Sequence, residues 1–433
     1  MNARDLVTSR IAARAKRYPD MDLAPLDTTG LDRRDAGLAF AIDRAVARRW
    51  LTLVIVVESR LNRSWRSLQP EVQAALLVGA AQLLFLERLP DHAVINEAVQ
   101  WTKLNAGPKP AGLVNAALRR VAELCQETVV EHDPQRRDEL PLHDGRARRL
   151  DGPVFDADPL ARLAQHTSHP MALVKQWVEQ FGLQRSQQVM QHNIVRPPIL
   201  VTGLSLPCER CEAHDEPDFA VFEGDRHDLE GLLAEHPSAR VQDPAAAAAV
   251  SATGDLQPKI IVDACAGKGT KTRQLLQVHP QARVIASDTN KDRLATLRAL
   301  ADQNDHLEVV KPAELMDLAG RVDLLVLDVP CSNTGVLARR PEAKYRFGDD
   351  SLSQLIDLQR QIIADYLPLL AQSGHLLYST CSLSPEENEA QAKWIVRWHR
   401  FRIRQQNLRL PQGLPGEPPQ RYADGSYFAL LQK

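Results

Sequence analysis

From about residue 245 onward, the chain alternates between strand-like and helix-like segments. Short apolar segments such as "KIIVDAC", "ARVIASD" and "VDLLVLDVP" are separated by amphipathic segments such as "KDRLATLRALADQN". This alternation predicts a parallel sheet that is covered by helices on both faces. In such α/β folds the ligand binds at the carboxyl ends of the strands. We therefore expect a Rossmann-like domain over residues 236–433, with its site at that edge of the sheet.

The loop after the first of these strands, "VDACAGKGTKT", resembles two kinds of ligand-binding loop. A nucleoside triphosphate loop of the Walker A type needs G-x-x-x-x-G-K-[ST]. Here Gly269 stands after Lys268 where Ser or Thr is required, and Val262 takes the place of the upstream glycine. These two departures argue against a triphosphate site.

The same loop is better suited to S-adenosylmethionine (SAM). Gly267 and Gly269 allow the backbone to turn tightly and to approach a ligand closely. The amide groups at the start of the following helix favour a carboxylate such as that of methionine. The next strand ends in Asp288, whose carboxylate can accept both ribose hydroxyls, as acids do in dinucleotide sites.

Two cysteines come directly after two further predicted strands. Cys331 follows "LLVLDVP" and Cys381 follows "LLYST", so both are expected at the ligand edge of the sheet. The segment "EENEAQAKWIV" after Cys381 is typical of a helix, and a helix N-terminus favours the thiolate form of a nearby cysteine. A lone cysteine is usually a small buried apolar residue. Two cysteines at strand ends beside polar residues indicate reactive thiols instead.

A thiol solves a specific problem in methyl transfer to a pyrimidine. Carbon 5 of the ring is a poor nucleophile, but addition of a thiolate at carbon 6 makes carbon 5 enamine-like. A base must then remove the carbon 5 proton so that the thiol can leave. This is covalent catalysis, which divides one difficult step into easier ones. An acid such as Asp328 could bind the exocyclic amine and the ring nitrogen and stabilise the adduct.

The first 125 residues have a helical pattern, with "EVQAALLVGAAQLLFLERL" and "VINEAVQWTKLNA" separated by Pro90. Basic residues outnumber acidic ones in this region, which fits either a purely structural bundle or a docking surface for RNA or protein. We expect a helical domain over residues 1–128. Residues 129–160 are polar and aperiodic, which predicts a linker. Residues 161–235 predict a small α/β RNA-binding unit.

Composition narrows the class of protein without identifying it. The chain has 433 residues with 44% hydrophobic and 25% charged residues, which is typical of a globular protein of two or three domains. Its net charge of −2 neither demands nor excludes a nucleic acid partner. The longest apolar run, Ala74 to Leu86, is too short to span a bilayer and contains Gln82, so it predicts a buried helix. No signal peptide is evident, so we expect a cytoplasmic monomer with no membrane partner.

The remaining cysteines do not suggest a metal centre or a disulfide framework. Six cysteines in a chain of this size are few for a disulfide scaffold. Cys208 and Cys211 in "CERC" make half of a zinc site, but a structural site needs four ligands and no second pair is in view. We therefore expect no metal. The tryptophans mostly lie at helical apolar positions, which favours the core over base stacking.

Taken together, "DACAGKGTKT", "DVPCSNTGVLARRPEAKY" and "YSTCSLSPEENEAQ" resemble the RsmB (Sun/Fmu) type of RNA cytosine-5 methyltransferases. The segments "ALLVGAAQLLFLERLPDHAVINEAV" and "GLVNAALRRV" resemble the NusB-like RNA-binding domain that is fused to this methyltransferase. The resemblance covers nearly the whole chain and is weakest across residues 126–235. It implies an all-α NusB-like domain followed by an α/β Rossmann-like SAM-dependent methyltransferase domain. It also implies an RNA partner, small-subunit ribosomal RNA in particular.

The resemblance assigns roles to individual residues. Cys381 would be the nucleophile, and Cys331 would be the second thiol that assists breakdown of the adduct. Asp328 would contact the target base, and Lys344 in "RRPEAK" matches a family lysine near the active site. The residues implied to bind SAM are Cys265, Ala266, Gly267, Lys268, Gly269, Thr270, Lys271, Asp288, Glu314 and Asp328.

Some positions depart from the family pattern. The family loop usually reads A-P-G-G-K-T after its cysteine-alanine pair, whereas this chain has "GKGTKT", with an added positive charge. Glu314 stands where the family usually has aspartate, and "RPPILVTGL" lacks the family's Arg-x-Asn. These differences keep a second hypothesis open, an RNA-binding or ribosome-assembly factor with weakened or lost SAM binding. A NusB-like transcription factor with a vestigial tail is a third.

Overall fold

The computed structural model describes residues 2–86 and 89–433. They form two compact units. The first unit consists of Met1–Arg196, Leu337–Gly348 and Leu414–Glu417. The second unit consists of Pro197–Val336, Asp349–Gly413 and Pro418–Lys433. The boundaries of these units differ from the domain boundaries that the sequence pattern predicts.

The first unit is mostly helical. Its elements in chain order are α1 (Ala3–Arg17), α2 (Arg33–Glu58), α3 (Pro70–Phe85), α4 (Asp91–Asn105), α5 (Pro108–Leu124), β1 (Cys125–Glu131), β2 (Glu139–Pro141), β3 (Arg146–Leu150), α6 (Pro159–Thr167), α7 (Met171–Phe181) and α8 (Leu183–His192), with 3₁₀ turns at Trp65–Ser67 and Pro341–Arg346.

Local signals in the sequence explain where these helices begin and which face they bury. Asn2 caps α1 in a reciprocal pair with Asp5, and Pro70 occupies the first turn of α3, where its missing N–H costs nothing. Helix α3 is buried on nearly every side, so it forms the centre of the bundle. This confirms the buried helix predicted from the apolar run, although residues 87–88 of the quoted segment lie outside the described residues. Among the residues that the structure describes, none of the helices is long and apolar enough to cross a membrane.

The segment predicted as a linker, residues 129–160, is folded. Strands β1, β2 and β3 form an antiparallel sheet in the order β1-β3-β2. Leu140, Leu150 and Phe155 from this segment are buried in the same apolar cluster as helices α1 to α5. A few well-placed apolar residues thus anchor a segment whose overall composition is that of a linker.

The second unit contains the remaining elements. In chain order they are β4 (Ile199–Thr202), β5 (Cys211–Ala213), β6 (Phe219–Phe222), α9 (Arg226–Glu235), β7 (Arg240–Val241), α10 (Pro244–Ser251), β8 (Ile260–Asp263), α11 (Thr270–Val278), β9 (Arg283–Ala286), α12 (Lys291–Ala301), β10 (Leu307–Val309), β11 (Val322–Asp328), α13 (Asp349–Tyr366), β12 (Leu370–Thr380), α14 (Glu389–His399), β13 (Arg402–Arg409) and β14 (Ser426–Gln432), with 3₁₀ turns at Pro312–Leu318, Leu367–Leu369 and Pro419–Arg421.

A seven-stranded sheet dominates the described part of this unit, in the order β10-β9-β8-β11-β12-β14-β13. Strands β8 to β12 pair in parallel, whereas β14 is antiparallel to both β12 and β13. Two apolar clusters cover the two faces of the sheet. This confirms the predicted α/β class and shows where the sheet becomes mixed.

The region predicted as one small unit, residues 161–235, is divided between the two compact units. Helices α6 to α8 belong to the first unit, whereas β4 to β6 and α9 belong to the second. There the strands form a separate antiparallel sheet in the order β5-β6-β4-β7. The break falls at Pro197, where a Pro pair interrupts the helical pattern.

Candidate active site

The carboxyl edge of the large sheet brings the predicted site residues together. Asp263, the last residue of β8, pairs in register with Val326 of β11. Asp328, the last residue of β11, pairs with Ser379 of β12. Cys331 and Cys381 follow in the loops after β11 and β12, so residues far apart in sequence meet at one edge.

The two thiols are direct neighbours. The Sγ atoms of Cys331 and Cys381 lie 3.3 Å apart, and the Sγ of Cys381 lies 3.2 Å from Oδ1 of Asn333. Its hydrogen bond with Cys381 and its burial raise the pKa of Cys331 well above that of a free thiol. Cys331 therefore keeps its proton and can donate it toward Cys381.

A buried carboxylate holds the two cysteine loops together. Glu387, fully buried, accepts hydrogen bonds from the backbone N–H and hydroxyl of Ser332 and from the hydroxyl of Ser382. Ser332 follows Cys331 and Ser382 follows Cys381, so one carboxylate fixes the residue after each thiol. Gln359 of α13 also donates to Glu387 over 3.0 Å. The separation of the thiols is therefore set by a charge-assisted network.

A glycine allows the two loops to approach. The N–H of Gly335 donates to the carbonyl of Cys381 over 2.9 Å, and its carbonyl accepts from Gly425 over 2.8 Å. A Cβ at position 335 would collide with the backbone of Gly425 and Cys381. Only glycine fits here, so the "SNTG" of the motif is explained by close backbone contact.

Asp328 is paired with a lysine from the glycine loop. Its Oδ2 lies 2.7 Å from Nζ of Lys271, and its Oδ1 accepts from the hydroxyl of Ser379 over 2.8 Å. Burial lowers the pKa of Lys271, but the charge and hydrogen bond of Asp328 and the proximity of Cys381 outweigh burial, so the pKa is raised. Lys271 therefore stays charged, and it belongs to the reaction centre as well as to the loop.

The glycine loop and the end of β9 form a concave surface, which the sequence predicts to bind the methionine and ribose parts of SAM. Gly267 has a positive φ of 59°, and no atom lies within 4 Å of the place where its Cβ would stand. Its N–H donates to Oδ2 of Asp288 over 3.0 Å, which turns the loop toward that carboxylate. Asp288 also accepts from the N–H of Asn290 over 2.8 Å and from Arg293 over 3.4 Å, which leaves about one of its four lone-pair sites for a ribose hydroxyl. Lys268 and Thr270, which depart from the family pattern, have exposed side chains.

Asp263 lies at the floor of this concave surface and is incompletely satisfied. Its Oδ2 accepts from the hydroxyl of Thr272 over 2.7 Å, whereas its buried Oδ1 has no partner among the described residues. Burial raises the pKa of Asp263 to about 7. Burial also raises the pKa of the neighbouring Cys265, so that thiol stays protonated and unreactive.

Two predicted site residues are engaged elsewhere. Glu314 is exposed, and its carboxylate accepts from the backbone N–H of Lys311 over 2.7 Å, so it caps a 3₁₀ turn. Lys344 belongs to the first unit, where its buried ammonium donates to the carbonyls of Arg48 and Thr167 over 2.9 and 3.3 Å. Burial and the neighbouring Arg49 lower the pKa of Lys344 well below its ordinary value. Their roles in binding and catalysis stay predictions.

The structure adds residues that the motif reasoning did not single out. Asn333 and Glu387 contact or order the thiols, and Gln359 supports Glu387 from α13. Glu387 carries no signal of this role in "SPEEN", because its burial and its donors from two distant loops become known only from the fold. Gln359 carries no such signal, since its partners depend on how α13 packs.

Comparisons with known proteins agree with this fold and site. Residues 254–431 match the model of the family described as 16S rRNA methyltransferase RsmB/F, and residues 2–123 match that of the NusB family. The ribosomal RNA small subunit methyltransferase B of Vibrio cholerae is 28% identical, with 99% of this chain and 98% of the relative covered. The probable ribosomal RNA small subunit methyltransferase B of Bacillus subtilis is 25% identical, with 85% and 81% covered.

A solved structure shows a similar fold over the whole length. The crystal structure of the protein PH0851 has a TM-score of 0.70 and 18% identity, with 100% of this chain and 99% of that chain covered. A methyltransferase homologue from Pyrococcus horikoshii has a TM-score of 0.50 with 63% of this chain covered. The fold and site define the class of SAM-dependent RNA methyltransferases. Within that class, the chain joins a NusB-family domain to a methyltransferase domain of the RsmB/F family.

Proposed function

We propose that this protein transfers a methyl group from SAM to carbon 5 of a cytosine in small-subunit ribosomal RNA, through a covalent adduct between Cys381 and carbon 6. The observation that carries the proposal is the pair of thiols, with Sγ atoms 3.3 Å apart at the ends of adjacent strands. A simple SAM-dependent N- or O-methyltransferase has no use for such a pair. The match to the RsmB/F family and the names of the relatives support the RNA substrate.

The side chains divide the work of the reaction between them. The Cys381 thiolate adds to carbon 6 of the ring, which makes carbon 5 a nucleophile. SAM supplies the electrophilic methyl group. A base must then take the carbon 5 proton while the bond between Sγ and carbon 6 breaks and its electron pair returns to the Cys381 sulfur. Cys331 contacts Cys381 and, once it has given its own proton to solvent, is placed to take the carbon 5 proton; its raised pKa makes that thiolate a strong base.

Asp328 and Lys271 act on the polar edge of the base. The Asp328 carboxylate can accept from the exocyclic amine of cytosine, and the Lys271 ammonium beside it can stabilise the charge that develops on the ring nitrogen and carbonyl. Uracil has a carbonyl oxygen in place of the amine, and that oxygen would face the Asp328 carboxylate with no proton between them. This pair therefore accounts for a preference for cytosine.

The target base has to leave its stack to reach Cys381, because carbon 6 is not accessible to a side chain within a helix. Flipping costs least in single-stranded or irregular RNA. We therefore expect a substrate cytosine in a loop or junction, or in a subunit that is still being assembled.

The test combines two cysteine variants with labelled SAM and small-subunit ribosomal RNA. Cys381→Ala is expected to lose methyl transfer, while Cys331→Ala accumulates a protein–RNA adduct that survives denaturing electrophoresis. Bisulfite sequencing of ribosomal RNA from a strain without the gene identifies the position. Full activity of Cys381→Ala on the RNA that the wild type methylates would refute the covalent mechanism.

The altered loop motivates a second candidate, an RNA-binding or assembly factor with weak SAM affinity. Lys268 carries the extra positive charge, but its side chain points to solvent, which favours the enzyme. Calorimetric titration of the whole chain with SAM distinguishes the two. Micromolar or tighter binding supports the enzyme, and no heat of binding would favour the assembly factor.

A further inference from the structure

We propose that the second unit has an additional RNA-contacting surface at the amino edge of its large sheet, and that single-stranded RNA flanking the target runs along the edge strand β13. The proposal rests on the proposed function, because it takes RNA as the substrate. We call this surface the β13 strip. It consists of Lys393, Arg397, Trp398, Arg400, Arg402 and Arg404.

The first argument is the local charge. Residues 390–416 contain six lysines and arginines and no aspartate or glutamate, although the chain as a whole has 53 basic and 55 acidic residues. All members of the β13 strip are exposed. A continuous basic segment in a neutral protein is the electrostatic footprint of a polyanion partner.

The second argument is that most of these charges lack a carboxylate partner in the part of the chain that the structure describes. Arg404 is paired with Asp255, but Lys393, Arg400 and Arg402 form no ion pair there. Lys393 and Arg397 are four residues apart on α14, where like charges repel each other. The C-terminal dipole of α14 would favour Arg397 and Arg400, yet it does not reach Arg402 in the following strand.

The third argument is an exposed aromatic ring within the strip. The Trp398 residue is 63% exposed, and the Arg397 guanidinium lies 5.3 Å from its ring centroid. The neighbouring Trp394 packs against His399 and lies beneath the guanidinium of Arg360. Exposed rings among cations are the usual platform for stacked bases of single-stranded nucleic acid. This differs from the sequence prediction, which favoured the core for the tryptophans.

The register of the sheet shows that an RNA strand bound along β13 would run toward the level of the two thiols. Arg402 pairs with Gln432 of β14, which pairs with His375 near the start of β12. Six residues later, Leu408 pairs with Tyr427, which pairs with Thr380 beside Cys381. Since a strand rises by about 3.3 Å per residue, β13 spans roughly 20 Å from the basic edge to the level of the thiols.

Strand β13 is irregular on the side where RNA would pass. Ile403 pairs with Leu431 and Gln405 with Leu430, so Arg404 is an extra residue in a β-bulge. An open groove of about 470 Å³ runs beside it, and its polar lining includes Arg404, Gln405, Asn407 and Asp255, which pairs with Arg404. The bulge interrupts the edge against pairing with another protein strand, and the amide and guanidinium groups suit phosphate and sugar.

The experiment measures binding of the full-length protein to single-stranded RNA fragments of small-subunit ribosomal RNA as a function of salt. The triple variant Arg397→Gln/Arg400→Asn/Arg402→Gln removes three charges, and asparagine suits the left-handed backbone of residue 400, with φ of 61°. Each lost phosphate contact is expected to reduce the salt slope by about 0.7, so the affinity should fall roughly 10- to 100-fold near 0.1 M salt. Trp398→Ala is expected to weaken binding at least about fivefold with an unchanged slope.

The control triple variant Lys175→Gln/Arg226→Gln/Arg298→Gln removes the same charge from exposed positions outside the strip. Equal affinity and slope for the two triple variants would refute the strip as an RNA surface, and binding of an acidic protein would then be the explanation to pursue. That result leaves the proposed function intact when the wild type still methylates RNA. A wild type that neither binds nor methylates RNA overturns both proposals. Methyl transfer at saturating RNA should be unchanged in the strip variant, because Cys381 is not altered.

Discussion

The thiol pair and the SAM loop lie at the same edge of the sheet, yet they are built in opposite ways. Around Cys331 and Cys381, the neighbouring polar groups are satisfied by Glu387, Ser332 and Ser382. In the SAM loop, Asp263 keeps a buried oxygen without a partner among the described residues, and the space beside Gly267 is open. The first region is held in place by its own hydrogen bonds, and we expect the second to be completed by its ligand.

This difference follows from what each region has to do. A nucleophile gains rate from being held in place before the substrate arrives, because a misplacement of about 1 Å can cost about 100-fold. A cofactor that must leave after each turnover is better served by a site that is incomplete without it. The following predictions test whether the two regions respond differently to loss of one carboxylate or one charge.

The largest effect is expected from Glu387→Gln. In the wild type, the donors share the two oxygens of the carboxylate, whereas the amide of the variant has only one oxygen. The two cysteine loops are then no longer held at a fixed separation, so methyl transfer should fall by roughly 100-fold. SAM affinity should be unchanged. Transfer of labelled methyl groups and calorimetry measure the two quantities. Glu386→Gln, at the adjacent exposed position, is the control, and equal activity of the two variants would contradict the role of Glu387.

A smaller loss is expected from Lys271→Gln. This change leaves Asp328 without its cation and removes a positive charge near Cys381, so kcat should fall roughly 10- to 50-fold. The KM for RNA should change less, because the ammonium acts on the developing charge. Single-turnover kinetics separates the two, with the exposed Lys259→Gln as the control. An altered SAM affinity with an unchanged chemical step would place Lys271 in the loop alone.

Asp288→Asn should weaken SAM binding by about tenfold, since one carboxylate acceptor becomes an amide. Activity should recover at high SAM concentration, in contrast to Glu387→Gln, which no SAM concentration rescues. Titration calorimetry with SAM and with S-adenosylhomocysteine checks the affinity. Asp292→Asn, in the first turn of α12, serves as the matched change. If Asp288→Asn binds SAM as tightly as the wild type does, Asp288 does not bind the ribose.

The smallest effect concerns the pH dependence of stability in the absence of SAM. The pKa of Asp263 is raised to about 7, above the value of about 4 in an unfolded chain. Between these values the folded state holds a proton that the unfolded state has lost, so the contribution of this group to stability falls as pH rises from about 4 to about 7. Asp263→Asn should remove that slope and reduce the fall in Tm between pH 5 and pH 8 by a few degrees.

Scanning calorimetry at both pH values measures this change, and Asp305→Asn at an exposed position is the comparison. An identical pH slope in wild type and Asp263→Asn would mean that Asp263 is ionised in the folded protein. The orphaned oxygen would then need a different explanation.

The class of the fold could be predicted from the sequence because the spacing of apolar residues and the residue types at strand ends are local properties. The alternation after residue 245 led to the α/β sheet, and strand-end positions led to Cys331, Cys381, Asp328 and Asp288. The order of the strands could not be read in this way, because β14 pairs with β12 across about 50 intervening residues of sequence and no local pattern records that pairing.

Other features of the structure depend on tertiary packing and could not be predicted from the sequence. The segment 129–160 has the composition of a linker, but Leu140 and Phe155 suffice to anchor it in the core. The hydrogen-bond partners of Glu314 and Lys344 depend on tertiary packing and could not be predicted from their motifs, and the roles of both residues stay predictions. The role of Glu387 was missed for the same reason, since a buried acid is recognised by its donors and these come from two distant loops.

The placement of β14 has a consequence for how the enzyme is made. This strand comes last in the sheet along the chain, and it is inserted between β12 and β13. While the ribosome is still synthesising residues 426–432, β12 has an open edge and β13 has no neighbour on which to form. The nascent catalytic unit therefore exposes an unpaired strand beside Cys381 until residues 426–432 have been synthesised, which is the period when a chaperone would protect it from aggregation.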